Sequence, residues 1–190
     1  MRLFVAIDLT DDARSAIVTV QKRVASELGS GAALRLVRPE HLHLTLVFIG
    51  EVFESQGPPI ADRMAADIDH RPFDIVFGGV GVFPPQGAPR ILWLGVTDGV
   101  GDATAVQQKV AERLEAIGVE REQRPFSPHL TLGRWRDSRP SEARCAVAQQ
   151  FGTIARVPVA SVTLYQSHLS STGPTYTVLR RTPLVPTCLV

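Results

Sequence analysis

The sequence predicts an α+β protein: one domain over residues 1–190, built from two similar halves. Three observations predict it. A chain of 190 residues, 44% hydrophobic and 21% charged, is long enough for one substantial core and short for two independent ones. Strand-like runs and helix-like runs follow the order strand, helix, several strands, and that order occurs twice. A nine-residue pattern, Arg38-Pro39-x-x-x-His43-Leu44-Thr45-Leu46, returns as Arg124-Pro125-x-x-x-His129-Leu130-Thr131-Leu132 at an offset of 86 residues. Six identities at one offset in a chain of this length suit two halves related by a pseudo-twofold axis, and not a solenoid of short repeats.

The elements follow in chain order. Leu3, Val5 and Ile7 alternate with Arg2, Phe4 and Ala6, an opening strand that ends at Asp8. Thr10 is an N-cap with Asp11 and Asp12 behind it, and Ala13, Ile17, Val20, Val24 and Leu28 recur at helical spacing until Gly29. Ile60, Met64 and Ile68 predict a shorter helix after Pro58-Pro59. Val106, Val110, Leu114 and Ile117 predict another, ended by Gly118, and a last one spans 141–150. Strands are expected near 34–37, 42–49, 73–82, 90–97, 129–135, 154–166 and 175–181. Gly78-Gly79-Val80-Gly81 has neither the spacing nor the Lys-Ser/Thr of a phosphate loop and reads as a turn or bulge.

Composition narrows the partners. A net charge of +1 argues against a broad basic surface for duplex DNA, which works by releasing many counterions, so any phosphate recognition is local. Lysine occurs only at Lys22 and Lys109, so the positive charge is nearly all arginine, whose planar fork suits bidentate phosphate contacts. Cys145 and Cys188 share no motif and read as free thiols of a cytoplasmic protein. The apolar run at the start is too short for a signal peptide, Cys188 stands one place too near the end for prenylation, and no run reaches membrane-spanning length.

The chemistry lies in the repeat. In an extended strand His43 and Thr45 share one face, with Leu42, Leu44, Leu46 and Phe48 on the other, and His129 and Thr131 stand likewise against Leu130 and Leu132. Each strand therefore offers an imidazole and a hydroxyl, anchored by leucines. Breaking a P–O ester bond requires one proton taken from the nucleophile and one given to the leaving oxygen, and two imidazoles serve both needs near neutral pH. The threonine hydroxyls would hold non-bridging phosphate oxygens, although Thr suits a strand on propensity alone. The competing site is a metal held by His41-x-His43, but the second half has Ser127 where a matching ligand belongs and no carboxylate stands beside His43 or His129, so His41 reads as exposed and structural. No Gly-x-Ser-x-Gly elbow or activated cysteine supports a covalent nucleophile. His70 and His168, in or beside Pro- and Gly-rich turns, read as surface residues.

These motifs carry a resemblance. The opening Arg2-Leu3-Phe4-Val5-Ala6-Ile7, both His-x-Thr-x motifs, Arg90-Ile91-Leu92-Trp93-Leu94-Gly95, Pro125-Phe126-Ser127-Pro128, Gly133-Arg134, Leu164-Tyr165-Gln166-Ser167 and Gly173-Pro174-Thr175-Tyr176 resemble the two-histidine phosphoesterase superfamily. Within it the chain is similar to the bacterial and archaeal RNA 2′,3′-cyclic phosphodiesterases once called 2′-5′ RNA ligases. The resemblance covers the whole chain. It implies two pseudo-twofold-related lobes, each an antiparallel sheet with outer helices, around a central cleft. It also implies catalytic His43, His129, Thr45 and Thr131, with His43 as acid toward the leaving oxygen and His129 as base toward water. Arg134 would contact substrate, and His168 departs from what many relatives carry. The implied reaction opens a 2′,3′-cyclic phosphate to a 2′-phosphate without metal or cofactor, reversibly as 2′-5′ ligation, on RNA ends or nucleotides and by a monomer. The alternatives are the same chemistry on a small-molecule cyclic phosphate, and RNA-end binding without turnover.

Overall fold

The computed structural model describes residues 1–29, 33–148, 151–170 and 173–186. Cys188, Ser171-Thr172 and the last two residues of the helix expected over 141–150 lie outside the described residues, as does the side chain of Cys145.

Thirteen elements follow one another as β1 (Arg2–Ile7), α1 (Asp11–Leu28), β2 (Leu34–Leu36), β3 (Leu44–Glu51), α2 (Gly57–Arg63), β4 (Phe73–Phe83), β5 (Ile91–Asp98), α3 (Val100–Glu115), β6 (His129–Trp135), α4 (Pro140–Val147), β7 (Thr153–Val159), β8 (Ser161–Ser170) and β9 (Gly173–Pro183). The fold is α+β, with the strands in one nine-stranded antiparallel sheet of order β7-β4-β5-β6-β3-β1-β8-β9, β2 adding to β6. At its middle the sheet is nearly parted: among the described residues β3 and β6 share one register pair, Leu44 with Leu130, the same position of the two motifs. A five-stranded arm, β7-β4-β5-β6 with β2, and a four-stranded arm, β3-β1-β8-β9, flank that seam.

The arms are not the two halves of the chain. β4 from the first half joins β5 and β6, while β8 and β9 return from the second half to extend β1. Helices cross as well, α1 packing on β7 and α3 on β3. This exchange places one hydrophobic core across both arms, from Leu3, Val5 and Ile7 through Ile17 and Val24 to Leu94, Val110 and Leu130.

Local signals hold for α1. Thr10 is extended (φ −69°, ψ 159°) and its hydroxyl accepts from Ala13 N–H at 3.3 Å, and Gly29 ends the helix at φ 77°, a conformation that favours glycine. Three other expectations need correction. The helix from Ile60 ends at Arg63, and Ile68 is buried instead through a bridge to Leu184. α3 ends at Glu115, so Ile117 falls in the following turn and is exposed. The run 154–166 is two strands, β7 and β8, broken at Ala160, because its ends pair in different arms. Gly78-Gly79 forms the bulge expected of it, where β4 shifts register against β5. Among the described residues no helix is long and apolar enough to cross a membrane.

Candidate active site

Both motifs end up at the seam because the leucines between their functional residues are core residues: Leu42, Leu44, Leu46, Leu130 and Leu132 are all buried. With those side chains inward, His43, Thr45, His129 and Thr131 line a single cavity of about 560 Å³.

The two imidazoles are held alike. Nδ1 of His43 lies 2.7 Å from the carbonyl oxygen of His41, and Nδ1 of His129 lies 2.7 Å from that of Ser127, each two residues back. A carbonyl only accepts, so Nδ1 carries the proton in both rings and Nε2 is the nitrogen available to the cavity. Position 127, which lacks a matching metal ligand, thus has a backbone role in orienting His129. His41 contributes through its backbone too, from a short 3₁₀ turn (Pro39–His41) and not from the strand.

Surroundings differ between the halves. His43 stacks on Phe4 (centroids 4.8 Å apart, 27° between planes) and meets the edge of Tyr176 at 5.5 Å. His129 meets Phe83 edge-on at 5.3 Å, with Trp93 at 6.3 Å. Burial among the rings lowers the proton affinity of His43, opposed by the His41 carbonyl and by the charge of Asp8. Asp8 follows β1, and the register that pairs Ile7 with Leu44 sets it across from His43. Its carboxylate accepts from Thr163 (2.8 Å) and from Tyr165 (2.5 Å), whose phenol is held protonated by burial first and by that hydrogen bond second. The corresponding pair in the other arm is Gly95 with His129, so no carboxylate matches Asp8 there.

Two bulges decide what else faces the cavity. The β1–β3 register jumps between Val5–Val47 and Ala6–Thr45, skipping Leu46, and the β5–β6 register jumps between Leu92–Gly133 and Trp93–Thr131, skipping Leu132. The skipped leucines are themselves 86 residues apart, so the bulge belongs to the repeat. Each reverses the alternation beyond it. Phe48, expected on the leucine face, therefore turns to the cavity, 56% exposed, with the Arg2 guanidinium 4.9 Å from its ring centroid. Arg134, at the equivalent position, lines the cavity as well.

Arg2, Arg35, Arg38 and Arg134 all line this cavity, and no carboxylate does among the described residues. A chain of net charge +1 thus concentrates its positive field at the histidines, as an anionic substrate requires.

Two histidine expectations are corrected. His41 is half-buried, not exposed, and its ring packs 4.7 Å from Tyr176 on the cavity wall. His70 is no surface residue: its side chain is 13% exposed, 3.4 Å from Asp102 and edge-on to Phe73. His168 is exposed as expected and does not line the cavity. Sequence reading missed Phe4, Arg2, Arg35, Asp8 and Tyr176. Phe4 had a signal, an aromatic ring on the polar side of the opening strand, whereas Tyr176 reaches the site only through the β8–β9 hairpin.

The family model of the 2′-5′ RNA ligase superfamily matches residues 14–170. The chain belongs to that superfamily. Among its relatives, an RNA 2′,3′-cyclic phosphodiesterase of Archaeoglobus fulgidus is 37% identical over 180 residues, covering 95% of this chain and 98% of that protein. One of Aeropyrum pernix is 35% identical over 152 residues, covering 79% and 86%. Of solved structures, TT0787 of Thermus thermophilus superposes with a TM-score of 0.77 at 28% identity, over 98% of this superfamily member and all of that chain. E. coli LigT complexed with 3′-AMP superposes at 0.75 with 26% identity, over 96% and 97%.

Proposed function

We propose that the chain hydrolyses 2′,3′-cyclic phosphodiester ends of RNA or nucleotides to 2′-phosphomonoesters by acid–base catalysis. Water attacks phosphorus in line with the 3′ oxygen while His129 Nε2 accepts its proton. As the P–O3′ bond breaks, His43 Nε2 gives its proton to the 3′ oxygen, and phosphate stays on the 2′ oxygen. Thr45 and Thr131 donate hydrogen bonds to the non-bridging oxygens, and Arg134 adds positive charge nearby. The two imidazoles supply both proton transfers, so this reading needs no metal or cofactor. With a 5′-hydroxyl in place of water as the nucleophile, the same displacement of the 3′ oxygen forms a 2′-5′ linkage.

The observation that carries the reading is the pair of Nδ1–carbonyl contacts, which leave two Nε2 atoms for one arginine-lined cavity. The names of the relatives support the substrate class. The assignment of His43 as acid follows the family resemblance, and the charge of Asp8, with Gly95 in its place near His129, acts in that direction against the larger effect of burial. In the free chain burial outweighs the His41 carbonyl and Asp8 and lowers the proton affinity of His43, and a bound phosphate anion opposes that effect.

Purified chain in chelator at neutral pH should open a nucleoside 2′,3′-cyclic phosphate, and H43A and H129A should each lower kcat by about 10²- to 10⁴-fold. No hydrolysis by the wild-type chain would overturn the reading. A product that is solely 3′-phosphate would overturn the choice of leaving oxygen.

A further inference from the structure

The cavity holds more cationic charge than its reaction uses. A cyclic phosphodiester carries one negative charge, whereas four arginines line the site. Two of them, Arg35 and Arg134, are direct cross-strand partners of β2 and β6. Side chains so paired lie on the same face with Cβ atoms about 4.5–5.5 Å apart, and like charges there repel. No ion pair to either guanidinium is present among the described residues.

The chain nevertheless fastens β2 in this place. Val37 N–H donates to Leu132 O (2.9 Å), Arg136 N–H to Ala33 O (3.1 Å), and the buried Gln21 amide to Val37 O (2.9 Å) and Leu132 O (2.8 Å). Gly133 lets the strands close up: a Cβ there would lie 2.9 Å from Leu34 Cδ1 and 3.1 Å from Arg35 O. An anion between the two guanidiniums turns the repulsion into a pair of charge-assisted contacts. Position decides which anion. Arg134 is rooted three residues beyond Thr131, about 10 Å along an extended strand, so the arginine pair stands beside the histidines and not between them.

We propose that Arg35 and Arg134 form a second phosphate subsite that takes the internucleotide phosphodiester next to the reacting ring, making the preferred substrate an RNA end of two or more nucleotides. This rests on the cyclic phosphodiesterase reading above. It goes beyond it by separating oligonucleotide ends from mononucleotides and by giving Arg35 a specificity role.

The test measures kcat/KM of the full chain on adenosine 2′,3′-cyclic phosphate and on a dinucleotide ending in the same cyclic phosphate. The dinucleotide is expected to be favoured by about 10- to 100-fold, the size of one charge-assisted contact. That ratio should shrink as salt is added, fall toward one in R35A and be largely kept in R35K, whose charge remains. Arg35 is exposed, so its replacement leaves the core intact. A wild-type ratio near one with both substrates hydrolysed, or an R35A ratio equal to the wild-type one, overturns the subsite while leaving the reaction standing. Hydrolysis of neither substrate overturns the reaction itself, and the subsite with it.

Discussion

Replacing Gln21 with leucine tests how the site is attached to the core. Gln21 is 2% exposed on α1, and its amide donates to the carbonyls of Val37 and Leu132, tying the helix to both strands of the β2–β6 pair. Leucine keeps the bulk and removes both donors. The Leu132 carbonyl keeps the Val37 N–H, while the Val37 carbonyl loses its side-chain donor. Two net hydrogen bonds at about 0.5–1.5 kcal/mol each, with the cost of the stranded carbonyl partly offset by the added apolar burial, predict a loss of about 2 kcal/mol. For a chain of this size that is a fall in Tm of about 4–8 °C. Urea unfolding should show a lower midpoint at unchanged slope, and the preference for the dinucleotide should weaken because β2 carries Arg35. A loss under about 0.5 kcal/mol would refute the account, since it would mean that water serves these carbonyls as well as the amide does.

The charge of Asp8 raises the proton affinity of His43, so D8N should deepen the depression caused by burial and move the alkaline limb of the kcat/KM profile to lower pH. Movement of the acid limb instead would exchange the roles of the two histidines. In the folded chain His43 binds its proton less readily than the ordinary value of 6.5, so its contribution to stability is present above that pH and is lost as pH falls through the folded value. Urea midpoints for wild type and H43Q should therefore converge on acidification from above 6.5, and parallel curves would count against burial as the cause. Leu44 and Leu130, fully buried and paired across the seam, should each cost about 2–5 kcal/mol on change to alanine. The double variant should cost less than the sum, and additive losses would mean that the two arms do not support each other there.

The parts of the fold read correctly from sequence are those whose causes are local. Thr10 and Gly29 bound α1 through hydrogen bonds within one turn of chain, with Asp11-Asp12 in its first turn, and the alternation around His43 and His129 is set by the leucines that must be buried. Beyond Leu46 and Leu132 alternation failed, since a bulge exists only relative to a partner strand, and β1 and β5 are distant in sequence. A strict count places Phe48 and Arg134 on the wrong face for the site they line. For Arg134 the resemblance supplied what periodicity could not. The readings of His41 and His70 as exposed failed for a similar reason, because Tyr176 and Asp102 come from other elements.

By itself, then, the sequence determined the duplicated His-x-Thr-x strands, the first helix and its caps, and the two histidines proposed as an acid–base pair. Only the tertiary structure decided that strands are exchanged between the arms, that Asp8 stands across from His43 with Gly95 as its counterpart, and that Arg35 is set against Arg134. The physical reason is that a side chain's face follows from its own strand, whereas its neighbours follow from register between strands that only the assembled core brings together.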